Sequence, residues 1–219
     1  MSVAILPARG GSKRIPRKNV RPFLGRPALA WPVAAARDVF DRVVVSTDDA
    51  EIADVARAEG AEAPFLRDAA LSDDHAGTTE VIADAVARLG LADDVAVACI
   101  YPTAMLLRAD DLREGLSRLD SGATWVLSLG EYRTPIRRAY RRDGDGFAAV
   151  EPGAMPMRSQ DLEPAFYDAG QFYLARAATW RDPEARVWDG AAGVVLSEER
   201  AVDVDTPEDW ARAERMARL

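Results

Sequence analysis

The 219-residue sequence is poor in the residues on which most catalytic and metal-binding schemes rely. It has one cysteine, Cys99, so no disulfide can close within the chain. Cys99 sits in the apolar run from Val95 to Tyr101, where a buried thiol is expected rather than a nucleophile. It has one histidine, His75, in the polar stretch from Asp73 to Gly77. A solvated loop is its expected setting, which leaves Ser-His-Asp, Cys-His and multi-histidine metal schemes almost nothing to work with. No run approaches the ~18 consecutive apolar residues of a membrane span, and no basic segment leads into an apolar stretch at the start. A membrane is therefore not an expected partner, and the cytoplasm is the expected compartment. Excess positive charge is also missing. Lys and Arg number 28 against 36 Asp and Glu, a formal net charge of −8, which argues against nucleic acid as a partner. Chemistry must rest on Asp, Lys and Arg, with a metal if carboxylates hold one.

What is present fits one globular domain over residues 1–219, carrying a small excursion. Hydrophobic residues make up 48% and charged residues 29%. Short apolar runs alternate with helical patterns. Val3 to Ala8, Arg42 to Thr47 (RVVVST), Ala61 to Leu66, Val95 to Tyr101 and Thr124 to Leu129 read as strands. Pro27 to Val39, Ala50 to Glu59, Thr78 to Leu89, Asp110 to Leu119 and Pro207 to Leu219 read as helices, the last with Thr206 as N-cap. The alternation predicts an α/β fold, Rossmann-like, with a mainly parallel sheet and its active groups at the carboxyl ends of the strands. It breaks at Glu131. Ile136 to Arg142 and Phe147 to Val150 flank Asp143-Gly144-Asp145-Gly146, a hairpin pattern that makes residues 131–165 an excursion suited to dimerisation. Gln171 to Ala175 resumes as a strand.

The segment LPARGGSKRIPRKN, Leu6 to Asn19, follows the first strand and holds Arg9, Lys13, Arg14, Arg17 and Lys18. Gly10 and Gly11 allow close backbone approach and an anion-binding nest. A polyphosphate suits this setting, with the cations neutralising a leaving group's charge. The segment is neither a Walker A loop nor GxGxxG. The competing reading is a solvated basic loop.

These residues resemble the signature of the acylneuraminate cytidylyltransferase family, which makes CMP-sialic acids. Ser46-Thr47-Asp48, Leu66-Arg67, the loop from Ser72 to Thr79, Tyr101-Pro102-Thr103 and Asp203-Val204-Asp205 follow in the family's order. Arg158 to Tyr173 (RSQDLEPAFYDAGQFY) and Tyr101 resemble the pseudaminic acid branch more than the sialic acid one. Met105-Leu106-Leu107 depart from the family's proline after the PTS-like turn. The resemblance implies the fold of nucleotide-diphospho-sugar transferases, CTP and an acidic nine-carbon sugar as substrates, Mg²⁺ as cofactor and a homodimer. It implies attack of the anomeric hydroxyl on the α-phosphorus, a reaction accelerated mainly by positioning and charge.

Carried over by position, Arg9 and Lys13 meet the triphosphate, with Lys13 at the α-phosphate. Gly10, Gly11, Ser12, Lys18, Asn19, Arg67 and Thr78 complete the nucleotide site, Thr78 being exchangeable with adjacent Thr79. Arg14 and Arg17 face either the site or solvent. Tyr101, Arg158, Asp168, Gln171, Phe172 and Tyr173 are expected on the sugar side, Arg158 pairing with the carboxylate. One of Phe172 and Tyr173 belongs to the core, because strand neighbours face opposite sides. Asp48 and Asp49 support the nucleotide or cap the next helix. Asp203 and Asp205 lie two apart on an expected strand end, so both carboxylates share one face. Alone, such a pair reads as capping and solvation. With the resemblance it reads as the Mg²⁺ site, Asp205 also being a candidate to take the hydroxyl proton. The same transfer to N-acetylneuraminic acid, legionaminic acid or Kdo, and a non-catalytic nucleotide-binding module, are the competing functions.

Overall fold

The computed structural model describes residues 1–72 and 76–219; Asp73, Asp74 and His75 lie outside the described residues, and the expectation for the lone histidine with them. In chain order come β1 (Ser2–Pro7), β2 (Pro22–Phe23), β3 (Arg26–Pro27), α1 (Ala30–Arg37), β4 (Arg42–Ser46) and α2 (Ala50–Ala58). Then follow α3 (Thr78–Arg88), β5 (Ala96–Ile100), α4 (Ala109–Asp120), β6 (Val126–Glu131), β7 (Tyr140–Asp143) and β8 (Gly146–Ala149). The chain closes with β9 (Phe166–Arg176), α5 (Ala177–Arg181), β10 (Ala192–Val195) and α6 (Pro207–Met216).

Six strands form the central sheet in the order β10-β6-β9-β5-β1-β4. β1 runs parallel to both β4 and β5, and β10 parallel to β6, while β9 enters antiparallel between β5 and β6. Continuous burial of the β-branched runs explains the parallel part. Every residue of β5 is buried, and in β4 all but its first residue, Arg42, as a sheet covered on both faces requires. The carboxyl ends of β1, β4 and β5 therefore share one edge. The start of β9 reaches the same edge, because Tyr101 N–H donates to the Gln171 carbonyl at 2.9 Å.

Several boundaries differ from expectation. Ala61 to Leu66 is not a strand; it touches the sheet only through bridges from Val44 to Glu62 and Thr47 to Leu66. The first helix starts at Ala30, because Pro22 to Pro27 is taken up by the β2–β3 hairpin. The strand expected at Gln171 begins at Phe166 and passes an irregularity opposite Ser128, whose hydroxyl accepts from the Gln171 and Phe172 N–H groups at 3.1 Å each. Asp203 and Asp205 lie on irregular chain that joins no sheet, so the strand end expected there does not form. The β7–β8 hairpin forms outside the central sheet as expected. Among the described residues, no helix is long and apolar enough to cross a membrane.

The core packs on both sheet faces, with Trp125 and Trp180 crossing edge-on at 4.7 Å on one of them. A third, smaller cluster matters more to the site. It joins Ile15 and Phe23 to Val202, Val204 and Trp210, all buried. Phe23 meets Trp31 and Trp210 edge-to-face at 5.8 and 5.7 Å. Two distant parts of the chain, the basic loop and the Asp203 segment, are thereby pinned to one small core.

Candidate active site

The basic loop leaves β1 and is held rather than solvated. Ile15, fully buried between the cations, anchors its middle. Asn19, also buried, donates from Nδ2 to the Arg9 carbonyl at 2.9 Å and closes the loop on itself. Gly10 is required by close approach: its N–H donates to Asp48 Oδ1 at 2.9 Å, and a Cβ there would lie 2.6 Å from Asp49 Oδ2. The two carboxylates after β4 divide the expected roles. Asp49 caps α2, accepting from Ile52 N–H at 3.0 Å, whereas Asp48 faces the loop. Arg17 does not face the site. It binds Asp49 and Glu51, and this contact holds the Asp49 carboxyl below the usual carboxylate range.

Loop and sheet edge enclose a cavity of about 470 Å³, within the range of ligand pockets. Among the described residues, Arg9, Lys13, Arg14, Lys18 and Arg67 line it, against the single carboxylate of Asp205. Ser12, Asn19, Thr78, Tyr101 and Thr103 supply its other polar edges, beside Pro102. A cavity with five cations in a chain of net charge −8 is built for a polyanion. Arg67 is buried, donating to Ser72 Oγ at 3.2 Å, with Asp48 at 3.9 Å. Burial lowers its pKa, Asp48 raises it, and Arg9 lowers it further. A guanidinium stays charged through such shifts, so a second cation stands beside Arg9 in the cavity wall.

At the far wall, Thr78 opens α3 and shares a 3.0 Å hydrogen bond with the Tyr101 hydroxyl. Tyr101 meets Tyr173 edge-on at 5.8 Å, and the Tyr173 hydroxyl donates to Asp168. Burial pushes the Tyr101 hydroxyl up to about 12, and burial followed by Tyr101 and Asp168 pushes Tyr173 upward too. Both stay neutral at physiological pH and offer oriented hydroxyls. Thr79, by contrast, lines another groove, so of the two adjacent threonines it is Thr78 that borders this cavity.

Asp203 is exposed and Asp205 half-buried, while Val202 and Val204, which alternate with them, are buried. Asp205 binds Arg14 at 2.9 Å and Lys18 at 3.3 Å, and Lys18 also donates to the Val204 carbonyl at 2.8 Å. Arg14 thus reaches Asp205 while its own side chain stays largely exposed. Asp203 opens to solvent, yet its carboxyl is raised, first by desolvation and then by Asp205, with Lys18 opposing. Among the described residues no group of three or more His, Cys, Asp or Glu is gathered as a metal cage. Two neighbouring carboxylates, of which Asp203 is raised by desolvation and by Asp205, are a donor set that Mg²⁺ fits, since that ion takes one or two protein carboxylates and completes its shell with phosphate oxygens and water.

A family profile described as cytidylyltransferase matches residues 3–135, which carry the loop, the cavity floor and Tyr101. The chain belongs to the cytidylyltransferase family. It is 37% identical over 214 residues to the pseudaminic acid cytidylyltransferase of Campylobacter jejuni, covering 95% of this chain and 92% of that one. It is 28% identical over 228 residues to the CMP-N,N'-diacetyllegionaminic acid synthase of Legionella pneumophila, covering 99% and 96%. Its fold is shared with CMP:2-keto-3-deoxy-manno-octonic acid synthetase complexed with CTP, at a TM-score of 0.71, 19% identity and coverage of 100% and 99%. As a member of the cytidylyltransferase family, the chain is a nucleotidyltransferase.

Within this cytidylyltransferase the structure sorts the expected sugar-side residues. Tyr101, Tyr173 and Asp168 are brought together. Phe172 is fully buried against Gly115 of α4, so the sugar contact expected of it is corrected to a core role. Gln171 is corrected as well. Its side chain is buried and donates to the Arg200 carbonyl, not into the cavity. Arg158 pairs with Asp161 at 2.7 Å on the exposed excursion and does not line the cavity within one chain. The sequence reading missed Ile15 as the loop's anchor, although a lone isoleucine amid cations was the available signal. It also missed the bond between Arg200 and Asp111, for which no local pattern exists.

Proposed function

We propose that the chain transfers CMP from CTP to the anomeric hydroxyl of pseudaminic acid. A bond forms between that oxygen and the α-phosphorus, the bond to the β-phosphate oxygen breaks, and pyrophosphate leaves. The observation that carries the nucleotide half is the cavity lined by five cations at the ends of β1 and β5. Lys13 and Arg9 are proposed to neutralise the phosphates, Gly10 to Ser12 to bring backbone N–H groups close, and Arg67 and Thr78 to border the nucleotide. Tyr101, Tyr173 and Asp168 are proposed to orient the acid sugar with neutral hydroxyls and one acceptor. Asp203 and Asp205 are the proposed holders of Mg²⁺. When bound, the ion would polarise the phosphate and favour the ionised sugar hydroxyl. Asp205 is the proposed acceptor of the hydroxyl proton. What supports pseudaminic acid over other acids is the likeness to the Campylobacter enzyme along 95% of the chain.

A homodimer is proposed as well. Tyr140, Phe147, Val150 and Phe166 are exposed large apolar side chains on or beside the excursion. A second copy would cover them, and the excursion would carry Arg158 toward a neighbouring cavity. The use of CTP makes the cytoplasm the proposed compartment. Pyrophosphate release with CTP and a panel of pseudaminic, N-acetylneuraminic and legionaminic acids and Kdo tests the reading. Turnover of N-acetylneuraminate without turnover of pseudaminate refutes the sugar. CTP binding with no pyrophosphate from any acid favours a non-catalytic module.

A further inference from the structure

Several polar contacts converge on the irregular segment that carries Asp203 and Asp205. Tyr167 of β9 donates its hydroxyl to the Ala201 carbonyl at 3.3 Å. Gln171 of β9 donates its side-chain amide to the Arg200 carbonyl, which also accepts from Val202 N–H at 2.8 Å. The Arg200 guanidinium donates to Asp111, with only 17% and 10% of the two side chains exposed. Asp111 is itself fixed, because it accepts from Arg108 N–H at 3.0 Å at the start of α4. The buried side chains of Val202 and Val204 decide which face of the segment turns outward. Apolar burial does not fix how far the segment slides along its own axis, whereas directional bonds do. Among the described residues, the Arg200–Asp111 ion pair joins this segment to a helix of the sheet's cover.

We propose that Arg200 is a positioning residue for the transfer. Bolted to α4 through Asp111 and to β9 through Gln171, it sets the register at which Asp203 and Asp205 meet the site. It thereby sets the divalent-cation affinity of the pair. This rests on reading those carboxylates as the cation's holders. Gln171 acts through the same segment rather than on the sugar, which accounts for a glutamine that is buried on the sugar-side strand.

The test is titration of the full-length protein with Mn²⁺ alone, followed by electron paramagnetic resonance, alongside kcat, KM for CTP and thermal melts. Partners that orient metal-holding side chains typically contribute about 10–100-fold in metal affinity. Arg200→Met is expected to weaken Mn²⁺ binding by about that factor and to lower kcat, leaving KM for CTP near wild type. Arg200→Lys, which keeps a charge for Asp111, is expected to recover part of the loss. Gln171→Leu provides a second route should Arg200→Met fold poorly. It keeps a buried side chain of similar size and removes an oxygen, Oε1, that has no protein partner. Its Mn²⁺ affinity is expected to fall with little change in melting. Wild-type Mn²⁺ affinity in both folded variants, with Asp205→Ala abolishing binding, overturns the positioning role and leaves the cation reading intact. Mn²⁺ binding that is unchanged in Asp205→Ala overturns the cation reading, and the positioning role with it.

Discussion

Replacing Gly170 by alanine puts a methyl group where the fold leaves no room for it. Gly170 has φ +62°, and an added Cβ would stand 2.9 Å from Asp203 Cγ and 3.1 and 3.2 Å from its oxygens. Two costs follow, and they are separable. The left-handed backbone costs an L-residue about 1–2 kcal/mol. For a chain of this size each kcal/mol lowers Tm by roughly 2–4 °C, so Gly170→Ala should melt about 2–8 °C lower. The clash then moves the Asp203 carboxylate by several tenths of an ångström, when misplacement by about 1 Å can cost about 10²-fold in rate. A fall in kcat of about tenfold is expected. Gly90 supplies the control: its φ is +61° with nothing within 4 Å of an added Cβ. Gly90→Ala should therefore show the melting loss without the kinetic one. The assay is thermal melting and pyrophosphate release on both variants. If Gly170→Ala keeps wild-type kcat while melting like Gly90→Ala, the close approach to Asp203 has no catalytic weight.

Lys13→Ala should lower kcat by about 10²–10³-fold, the scale of losing one charge-stabilising donor, with Tm unchanged because the side chain is exposed. Pyrophosphate kinetics and a melt check both halves, and a kcat within a factor of a few of wild type removes Lys13 from the phosphate role. Asp203→Asn should stabilise the fold at neutral pH. The Asp203 carboxyl is raised by desolvation and by Asp205, so the folded state holds its proton more tightly than the unfolded chain does. Wild-type stability therefore falls as pH rises from the ordinary carboxylate range, near 4, through the raised value. Melts across pH should show a higher Tm for the Asn variant at neutral pH, with the gain vanishing below about pH 4. A lower Tm for the variant at neutral pH contradicts the sign.

The parallel half of the fold was legible because β1, β4 and β5 are continuous apolar runs, which only a sheet covered on both faces tolerates. The loop after β1 was legible as a polyanion site from its cations and glycines, but not as an ordered one, since its order comes from Ile15 reaching Val202 and Val204 nearly 190 residues away. Ala61 to Leu66 has strand composition, yet it joins β4 only at two bridges. β9 was read short because its first half pairs only with β6, through a register shift that no periodicity announces. Alternation correctly assigned one of Phe172 and Tyr173 to the core. It could not assign Gln171, whose direction depends on Arg200, 29 residues on, nor reveal Asp111, 89 residues before that arginine.

The most direct measurement is the product itself. CTP labelled at the α-phosphorus is incubated with the purified chain, Mg²⁺ and pseudaminic acid, and the products are separated and weighed by mass spectrometry. The account predicts label in a CMP–pseudaminic acid adduct, with one pyrophosphate per adduct, and neither product when Mg²⁺ is chelated. Label that stays in CTP with pseudaminic acid but passes to another acid sugar, or passes to pseudaminic acid at full rate with the cation chelated, would contradict it.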